Sequence, residues 1–401
     1  IKLGDRVATL AWNTWRHVEA WYGITGIGAI YHTVNPRLFP DQIAWILNHA
    51  GSRVLMLDLT FIPLIQQLAP KLQHIERFII LTDGAHLPET GLRNAVAYED
   101  WLAEADGDFA WASFDERTAA GLCYTSGTTG DPKGVLYSHR SNVLHALACN
   151  QVDCLGLGVA DRVMPVVPMF HANGWSLPIS APMAGATLVL PGAKLDGASV
   201  HETITAAQVN FSAAVPTVWM MLLQHMEATG ARIDTLKRVV IGGSACPAAI
   251  TQTYQEKYGV RVIHAWGMTE MSPVGTTYQR KPEISGLDAD AALALQAKQG
   301  CPPFTVEMKI TDDAGRELPW DGEGFGRLKV RGPAITRNYF RRDDEAVLDE
   351  DGFFDTGDVA TIDAHGFMEV TDRSKDVIKS GGEWISSIAL ENAAVGYPGV
   401  A

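Results

Sequence analysis

Residues 124–135 read YTSGTTGDPKGV. These twelve positions hold three glycines, four small hydroxyl residues (Thr125, Ser126, Thr128 and Thr129) and a single lysine, Lys133. A strand-like run at 121–124 leads in, and a helix-like run at 142–148 follows. Hydroxyls and unhindered backbone N–H groups can wrap a polyphosphate, and a lysine can neutralise part of its charge. The common phosphate loop needs glycine, four residues and then Gly-Lys-Ser/Thr. Here Lys133 follows Pro132 and precedes Gly134, so this is a different loop. A flexible polar turn is the plainer reading, and the length and composition of the stretch weigh against it.

The rest of the chain bounds what such a loop can serve. With 401 residues there is material for two or more domains and a large core. A net charge of −14, from 32 basic and 46 acidic residues, argues against general nucleic-acid binding, which needs phosphate-neutralising side chains. Five cysteines without metal-site spacing suit a reducing, cytoplasmic compartment better than a disulfide framework. Cys149 and Cys154, the closest pair, read as ordinary thiols. Residues 163–193 carry no Asp, Glu, Lys or Arg, long enough to span a bilayer. Pro165, Pro168, Pro178, Pro182 and Pro191 argue against a spanning helix, because each removes a backbone donor. The segment reads instead as buried strands and loops near a ligand.

Short apolar strands at 6–11, 54–57 and 78–81 alternate with helical patterns at 14–30 and 41–49, the second capped by Asp41. His32–Pro40, HTVNPRLFP, reads as a turn. Alternation of this kind implies largely parallel sheets covered on both faces. Residues 83–118 form a polar connector with Trp101 and Trp111 as anchors. Further on, strands are expected at 162–167, 209–213, 238–241 and 260–265, and helices at 203–208, 216–226 and 247–258. A helix-like insertion follows at 288–300, and strands of a smaller β-rich region at 306–311 and 327–331.

The loop at 124–135 resembles the phosphate loop of the adenylate-forming superfamily, which contains acyl-CoA synthetases, luciferases and nonribosomal adenylation domains. Other motifs follow in that family's order: PMFHANGW at 168–175, GGSAC at 242–246, AWGMTEMSP at 265–273, GFFDTGDVATID at 352–363 and DRSKDVIKSGGEWIS at 372–386. The HTVNPRL stretch and the 279–300 insertion are similar to the fatty-acyl branch. The implied fold is α/β: a large N-terminal domain, 1–371, of layered sheets flanked by helices, with a small β-barrel-like subdomain at about 302–371. A hinge at 372–375 and the start of a small α+β C-terminal domain, 376–401, complete it. Further small-domain residues are expected beyond Ala401, including the family's adenylation lysine, and further strands before Ile1.

The resemblance also assigns roles. Thr125, Ser126, Gly127, Thr128, Thr129, Gly130 and Lys133 would hold phosphate. Gly243, Ser244, Ala265, Trp266 and Gly267 would lie against adenine, Trp266 by stacking. Thr269 would bond a phosphate oxygen, and Glu270, with Thr125, would hold magnesium. Asp358 and Arg373 would bond ribose. Arg373 and Lys375 would mark the hinge, Lys379 would approach the phosphate, Gly381 and Gly382 would line the pantetheine path, and Trp384 would contact nucleotide or CoA. His171 would border the acyl-adenylate, and Trp175 would gate the acyl pocket. Taken alone, several of these residues read as turn or surface positions. A GxSxG hydrolase elbow is excluded at 242–246, where the last position is Cys246.

The implied activity is an ATP-dependent ligase that activates a medium- or long-chain fatty acid as acyl-AMP and transfers it to coenzyme A. A short or unusual acid such as 3-methylmercaptopropionate is the alternative within the class. A carrier-loading adenylation domain would normally carry an acidic residue after His171, and none occurs before Lys194. The alternative from another class is a non-catalytic nucleotide-binding relative, against which Lys133, Glu270, Asp358 and Arg373 argue. Partners are then the carboxylic acid, ATP and CoA, with homodimerisation and peripheral membrane contact left open.

Overall fold

The computed structural model describes residues 1–125 and 131–373, and the backbone of two short strands at 378–380 and 383–385. Among these residues the chain builds three sheets and a hairpin. The first sheet has seven strands: β1 (Arg6–Leu10), β2 (Ile30–Thr33), β3 (Val54–Leu57), β4 (Arg77–Ile80), β5 (Ala95–Ala97), β6 (Ala119–Tyr124) and β7 (Gly134–Ser138). Their order is β5-β4-β3-β1-β2-β6-β7, all parallel except the β6–β7 pair. RVATL of β1 is buried from Val7 to Leu10, Thr9 included, because a parallel strand covered on both faces has no wet side.

Helix α1 (Trp15–Gly26) starts where the Thr14 hydroxyl accepts the His17 N–H. It stops short of the expected residue 30, because Gly28 at φ +72° turns the chain into β2. His32 and Thr33, expected in a turn, are therefore strand residues. α2 (Pro40–Ala50) has Pro40 in its first turn and Phe39 at its cap. Asp41, expected as the cap, lies one step inside, where its charge still faces the positive helix end. After α3 (Ile62–Leu68), the expected connector contains β5 and the one-turn helix α4 (Tyr98–Leu102). Trp101 is half-buried. Trp111 is 67% exposed, its ring lying over Gly26, so it covers the sheet's helix layer instead of anchoring a core.

β7 was not expected. The phosphate-loop stretch therefore spans the tip of an antiparallel hairpin, and α5 (His139–Cys149) begins only after β7, capped by Ser138.

The second sheet runs β13-β12-β11-β10-β8-β9, from β8 (Arg162–Pro165), β9 (Thr187–Leu188), β10 (Phe211–Ala214), β11 (Arg238–Ile241), β12 (Arg261–Gly267) and β13 (Val274–Thr277). The β12–β13 pair is antiparallel and the others are parallel. Between β8 and β9 lie a one-turn element, α6 (Ala172–Trp175), and α7 (Leu177–Met183). The uncharged segment is thus strand, turn and short helix, and no helix among the described residues is long and apolar enough to cross a membrane. α8 (Gly197–Ala206), α9 (Pro216–Thr229) and α10 (Ala248–Tyr258) complete the sheet's cover. Trp219 on α9 is fully buried and donates to Ala214 O and Val240 O, both at 3.2 Å. It ties α9 to the ends of β10 and β11. The insertion helix α11 (Ala289–Ala297) docks on α10 through paired amides of Gln255 and Gln296.

The third sheet is an antiparallel meander of β14 (Glu307–Thr311), β15 (Gly326–Arg331), β16 (Phe354–Ile362) and β17 (Met368–Arg373). One apolar cluster joins all three sheets: Cys123, Val135 and Tyr137 from the first, Met271 from the loop after β12, and Leu328, Val330, Phe354 and Ala360 from the third. The candidate site opens directly beside this junction. β18 (Ile378–Ser380) and β19 (Glu383–Ile385) pair with each other.

Candidate active site

A cavity of about 900 Å³ lies where the three sheets meet. That is the upper end of the range for small-molecule pockets and leaves room for more than one ligand group. The hairpin supplies one wall. Thr125 N–H donates to Lys133 O at 2.9 Å, which closes the base of its tip. Phe340 N–H donates to Gly134 O at 2.8 Å, so the segment after β15 buttresses the same base. Lys133 Nζ stands 4.7 Å from the centre of the Tyr339 ring, a cation–π contact that leaves its charge facing the cavity.

The loop after β12 supplies the next wall. A side chain at Gly267 would bring its Cβ within 2.0 Å of Pro273 O, so only glycine permits this chain reversal. Tyr137 Oη donates to Thr269 O at 2.7 Å, and Thr336 N–H donates to Glu270 O at 2.8 Å. Glu270 is buried, and the Tyr339 phenol donates to its Oε1 at 2.8 Å. Burial raises its pKa; the Tyr339 bond and the charges of Lys133 and Arg373 pull in the opposite direction.

Asp358, which could have been a turn residue, lies within β16. Its Oδ2 accepts the Trp266 indole N–H at 3.0 Å, and its Oδ1 pairs with Arg373 Nε at 2.9 Å. Burial raises the Asp358 pKa as well, with the Arg373 charge the largest opposing influence. These two partners cover the carboxylate, which does not itself line the cavity; Arg373, Trp266 and Thr356 do. Arg327 and Asp355 form a further pair on this wall at 2.6 Å.

The opposite end is uncharged. Leu155, Phe170, Ala172, Trp175, Leu177, Ala213 and Val240 line it. His171 is exposed and lines the same cavity. The surrounding walls, and secondarily Arg37, hold its pKa below the ordinary imidazole value, so the ring is neutral at pH 7.

The segment carrying His171 is unusual. Five consecutive residues have positive φ: Ala172 +43°, Asn173 +54°, Gly174 +62°, Trp175 +54° and Ser176 +64°. α6 is therefore a left-handed turn, closed by Gly174 N–H to His171 O at 3.1 Å and Ser176 N–H to Asn173 O at 3.2 Å. A left-handed helical residue other than glycine costs about 1–2 kcal/mol, asparagine less, so tertiary contacts must hold the turn. Asn13, at the end of β1, grips the approach: its amide donates to Pro165 O and Val167 O at 2.8 and 2.9 Å and accepts Met169 N–H at 2.8 Å. The Trp175 ring ends up against the turn after β11, where a Cβ at Gly242 would lie 3.3 Å from it.

Of the residues singled out from sequence, the cavity brings together Thr125, Lys133, His171, Trp175, Gly243, Ala265, Trp266, Gly267, Thr269, Glu270 and Arg373. Ser244 is exposed on the same turn as Gly243 but does not line it. Ser126, Gly127, Thr128, Thr129, Gly130, Lys375, Gly381 and Gly382 lie outside the described residues. Lys379 and Trp384 face each other across β18–β19, and their side chains also lie outside what is described. Sequence reading missed Tyr339, Arg327 and Asp355 as wall residues, and Asn13 and Asn173 behind the wall. Magnesium takes oxygen ligands and keeps several waters, so it needs few protein groups. One carboxylate, Glu270, and one hydroxyl, Thr125, on the same cavity fit that demand beside phosphate oxygens. Among the described residues no group of three or more His, Cys, Asp or Glu forms a cage of its own.

Comparison with known proteins gives the class. The family model described as AMP-binding enzyme matches residues 1–340, and the chain belongs to this family. Among its relatives is a 3-methylmercaptopropionyl-CoA ligase of Ruegeria pomeroyi, 49% identical over 99% of this chain and 74% of the relative. A medium-chain-fatty-acid–CoA ligase of Ectopseudomonas oleovorans is 48% identical over 98% of this chain and 72% of the relative. Among solved structures, an O-succinylbenzoate coenzyme A synthetase from Bacillus subtilis in complex with AMP superposes with a TM-score of 0.82 at 26% identity, covering 100% of this chain and 75% of that one.

Proposed function

We infer that the chain, an AMP-forming acid:CoA ligase, acts on a medium- or long-chain fatty acid. The observation that carries this reading is that one cavity is lined both by charged side chains and by members of a single apolar cluster, with His171 on the same lining. Among the described residues, none of the apolar cluster's neighbours from 155 to 177 on the cavity lining is a carboxylate that could receive an ammonium group, which disfavours amino acids as substrates.

A carboxylate is a poor acyl donor because oxide is a poor leaving group. Its oxygen attacks the α-phosphorus of ATP, pyrophosphate leaves, and the acyl-AMP is then opened by the CoA thiolate with loss of AMP. The first step brings two anions together, and Lys133 and the hairpin's N–H groups lower that repulsion. Magnesium on Glu270 and Thr125 would supply further charge to the leaving pyrophosphate. Arg373 on the cavity wall, and Asp358 behind it once their ion pair opens, would bond the ribose hydroxyls, and Trp266, fixed by its bond to Asp358, would present its ring to adenine. Neutral His171 would donate to a carboxylate oxygen without adding charge. Positioning supplies most of the remaining rate, and no protein nucleophile is needed. The buried, unpaired thiols suit a cytoplasmic setting.

The test is acyl-CoA formation by the full-length protein, followed by thiol loss, with a panel of acids from three to eighteen carbons. The expected maximum in kcat/KM falls at six carbons or more. A maximum at a three- or four-carbon acid, or at a short thioether acid, would overturn the fatty-acid reading while keeping the ligase. Absence of acid-dependent ATP–pyrophosphate exchange would leave only nucleotide binding.

A further inference from the structure

The left-handed turn at α6 is held by a side chain that touches neither end of the cavity. Asn173 is buried, and its carboxamide faces β2 of the first sheet, across the seam between the two large sheets. Thr33 Oγ1 donates to Asn173 Oδ1 at 3.3 Å, and Asn173 Nδ2 donates to Tyr31 Oη at 3.3 Å. The Tyr31 end of this tie is itself immobilised. Its ring stacks on Trp21 with centroids 4.1 Å apart and planes 4° from parallel, and its hydroxyl also accepts from Asn142 at 3.3 Å. Gly121 leaves no slack behind the ring, since a Cβ there would come within 2.3 Å of it.

We propose that Asn173 is a positioning residue for acid selectivity: by holding the left-handed turn on β2 it fixes where Trp175 and Leu177 stand as walls of the acyl end. The proposal rests on the reading of that end as the acid site. Three features support it. Asparagine is one of the few residues that enters left-handed backbone readily, whereas Ala172, Trp175 and Ser176 are not, so the turn persists only while something outside it holds it. The tie runs to a rigid strand and not to solvent. The wall residue Trp175 follows Asn173 by two positions inside the same strained run, so relaxation of the turn necessarily moves the indole away from the turn after β11. The buried Cys123 thiol of β6 also meets the Thr33 hydroxyl and the backbone of Ala172 and Asn173, so the tie is anchored on a second strand of the first sheet.

The experiment compares full-length wild type with Asn173→Gly, Asn173→Ala and Thr33→Val. kcat/KM is measured for butyrate, octanoate and dodecanoate, with KM for ATP and the melting temperature alongside. Asn173→Gly keeps the left-handed backbone accessible and removes both hydrogen bonds; Thr33→Val removes one bond at nearly constant shape. The expected result is a change of about tenfold or more in the ratio of long to short acid in both Asn173 variants. A smaller change in the same direction is expected in Thr33→Val, with KM for ATP within about twofold of wild type. An unchanged acid ratio in Asn173→Gly, or a uniform loss across all three acids in step with a lower melting temperature, overturns the proposal. If wild type itself discriminates among no acids, the reading of the apolar end fails first and takes the proposal with it.

Discussion

The indole N–H of Trp266 donates to Asp358 Oδ2 at 3.0 Å, joining the end of β12 in the second sheet to the middle of β16 in the third. The bond spans 92 residues of sequence and sets both the plane of the ring and the aim of the carboxylate. A hydrogen bond to a charged group contributes about 1.5–3 kcal/mol. Trp266→Phe keeps an aromatic face and removes the donor, so KM for ATP should rise by roughly tenfold or more, at 1.4 kcal/mol per factor of ten. Steady-state ATP–pyrophosphate exchange measures it, and a KM unchanged within twofold would show that the bond does not prepare the nucleotide site.

Asp358→Ala should raise KM for ATP by a similar factor, for a different reason. It removes the proposed acceptor for ribose and the ion-pair partner of Arg373. Wild type should use 2′,3′-dideoxy-ATP poorly, and Asp358→Ala should discriminate against it less. Equal discrimination by both proteins would count against the ribose assignment.

Glu270 gives the pH dependence. Its pKa is raised by burial and lowered by the Tyr339 bond, Lys133 and Arg373. In its proposed role Glu270 would hold a cation only as the carboxylate, so activity would be present above this pKa and lost as pH falls through it. The acid limb of kcat/KM for ATP should therefore lie above the ordinary carboxylate range. Tyr339→Phe deletes one lowering influence and should shift the limb to higher pH, with a greater magnesium requirement. Glu270→Ala should nearly abolish exchange, with only partial rescue by excess magnesium. A limb at the same pH in wild type and Tyr339→Phe would remove Tyr339 from this account.

Gly267→Ala tests the chain reversal before Thr269. The new Cβ meets a backbone oxygen, which cannot swing away, so the whole Thr269–Met271 turn must shift. Overpacking of this kind costs about 1–3 kcal/mol. Calorimetry should show a lower melting temperature, and exchange should fall by more than the loss of folded protein explains. Wild-type exchange with an unchanged melting temperature would mean the loop has a freedom that its contacts deny.

Much of the scaffold was legible because local and global preferences agree. The strands at 54–57 and 238–241 fall where short apolar runs put them, and α10 and α11 fall where their helical patterns do. β7 was not legible: five residues after a glycine-rich loop read equally as the start of the following helix, and its pairing with β6 is a tertiary fact. The motif residues on the cavity wall were singled out because each motif is contiguous and resembles its counterpart in the adenylate-forming family. Tyr339 could not be found this way, since it reaches Glu270 from 69 residues away in a segment with no chemical signature. Nor could the left-handed turn. ANGW contains one glycine, and nothing local demands positive φ at its neighbours; the demand comes from β2, 140 residues earlier in the chain.

The apolar lining of the cavity and its ion-paired basic side chains are carried by different strands, while the loop after β12 brings Glu270 to the charged lining from the second sheet. Leu177, Ala213 and Val240 belong to the second sheet and its helices and Leu155 to the turn before β8, whereas Lys133, Arg327, Asp355 and Arg373 come from the first and third. Exchanging a leucine or an alanine at the apolar end changes depth and width without disturbing an ion pair or a phosphate donor. A lineage carrying this scaffold can therefore change its diet by a few substitutions in one layer while inheriting its ATP chemistry intact, and the ancestry of the chain says less about the acid it consumes than about how that acid is activated.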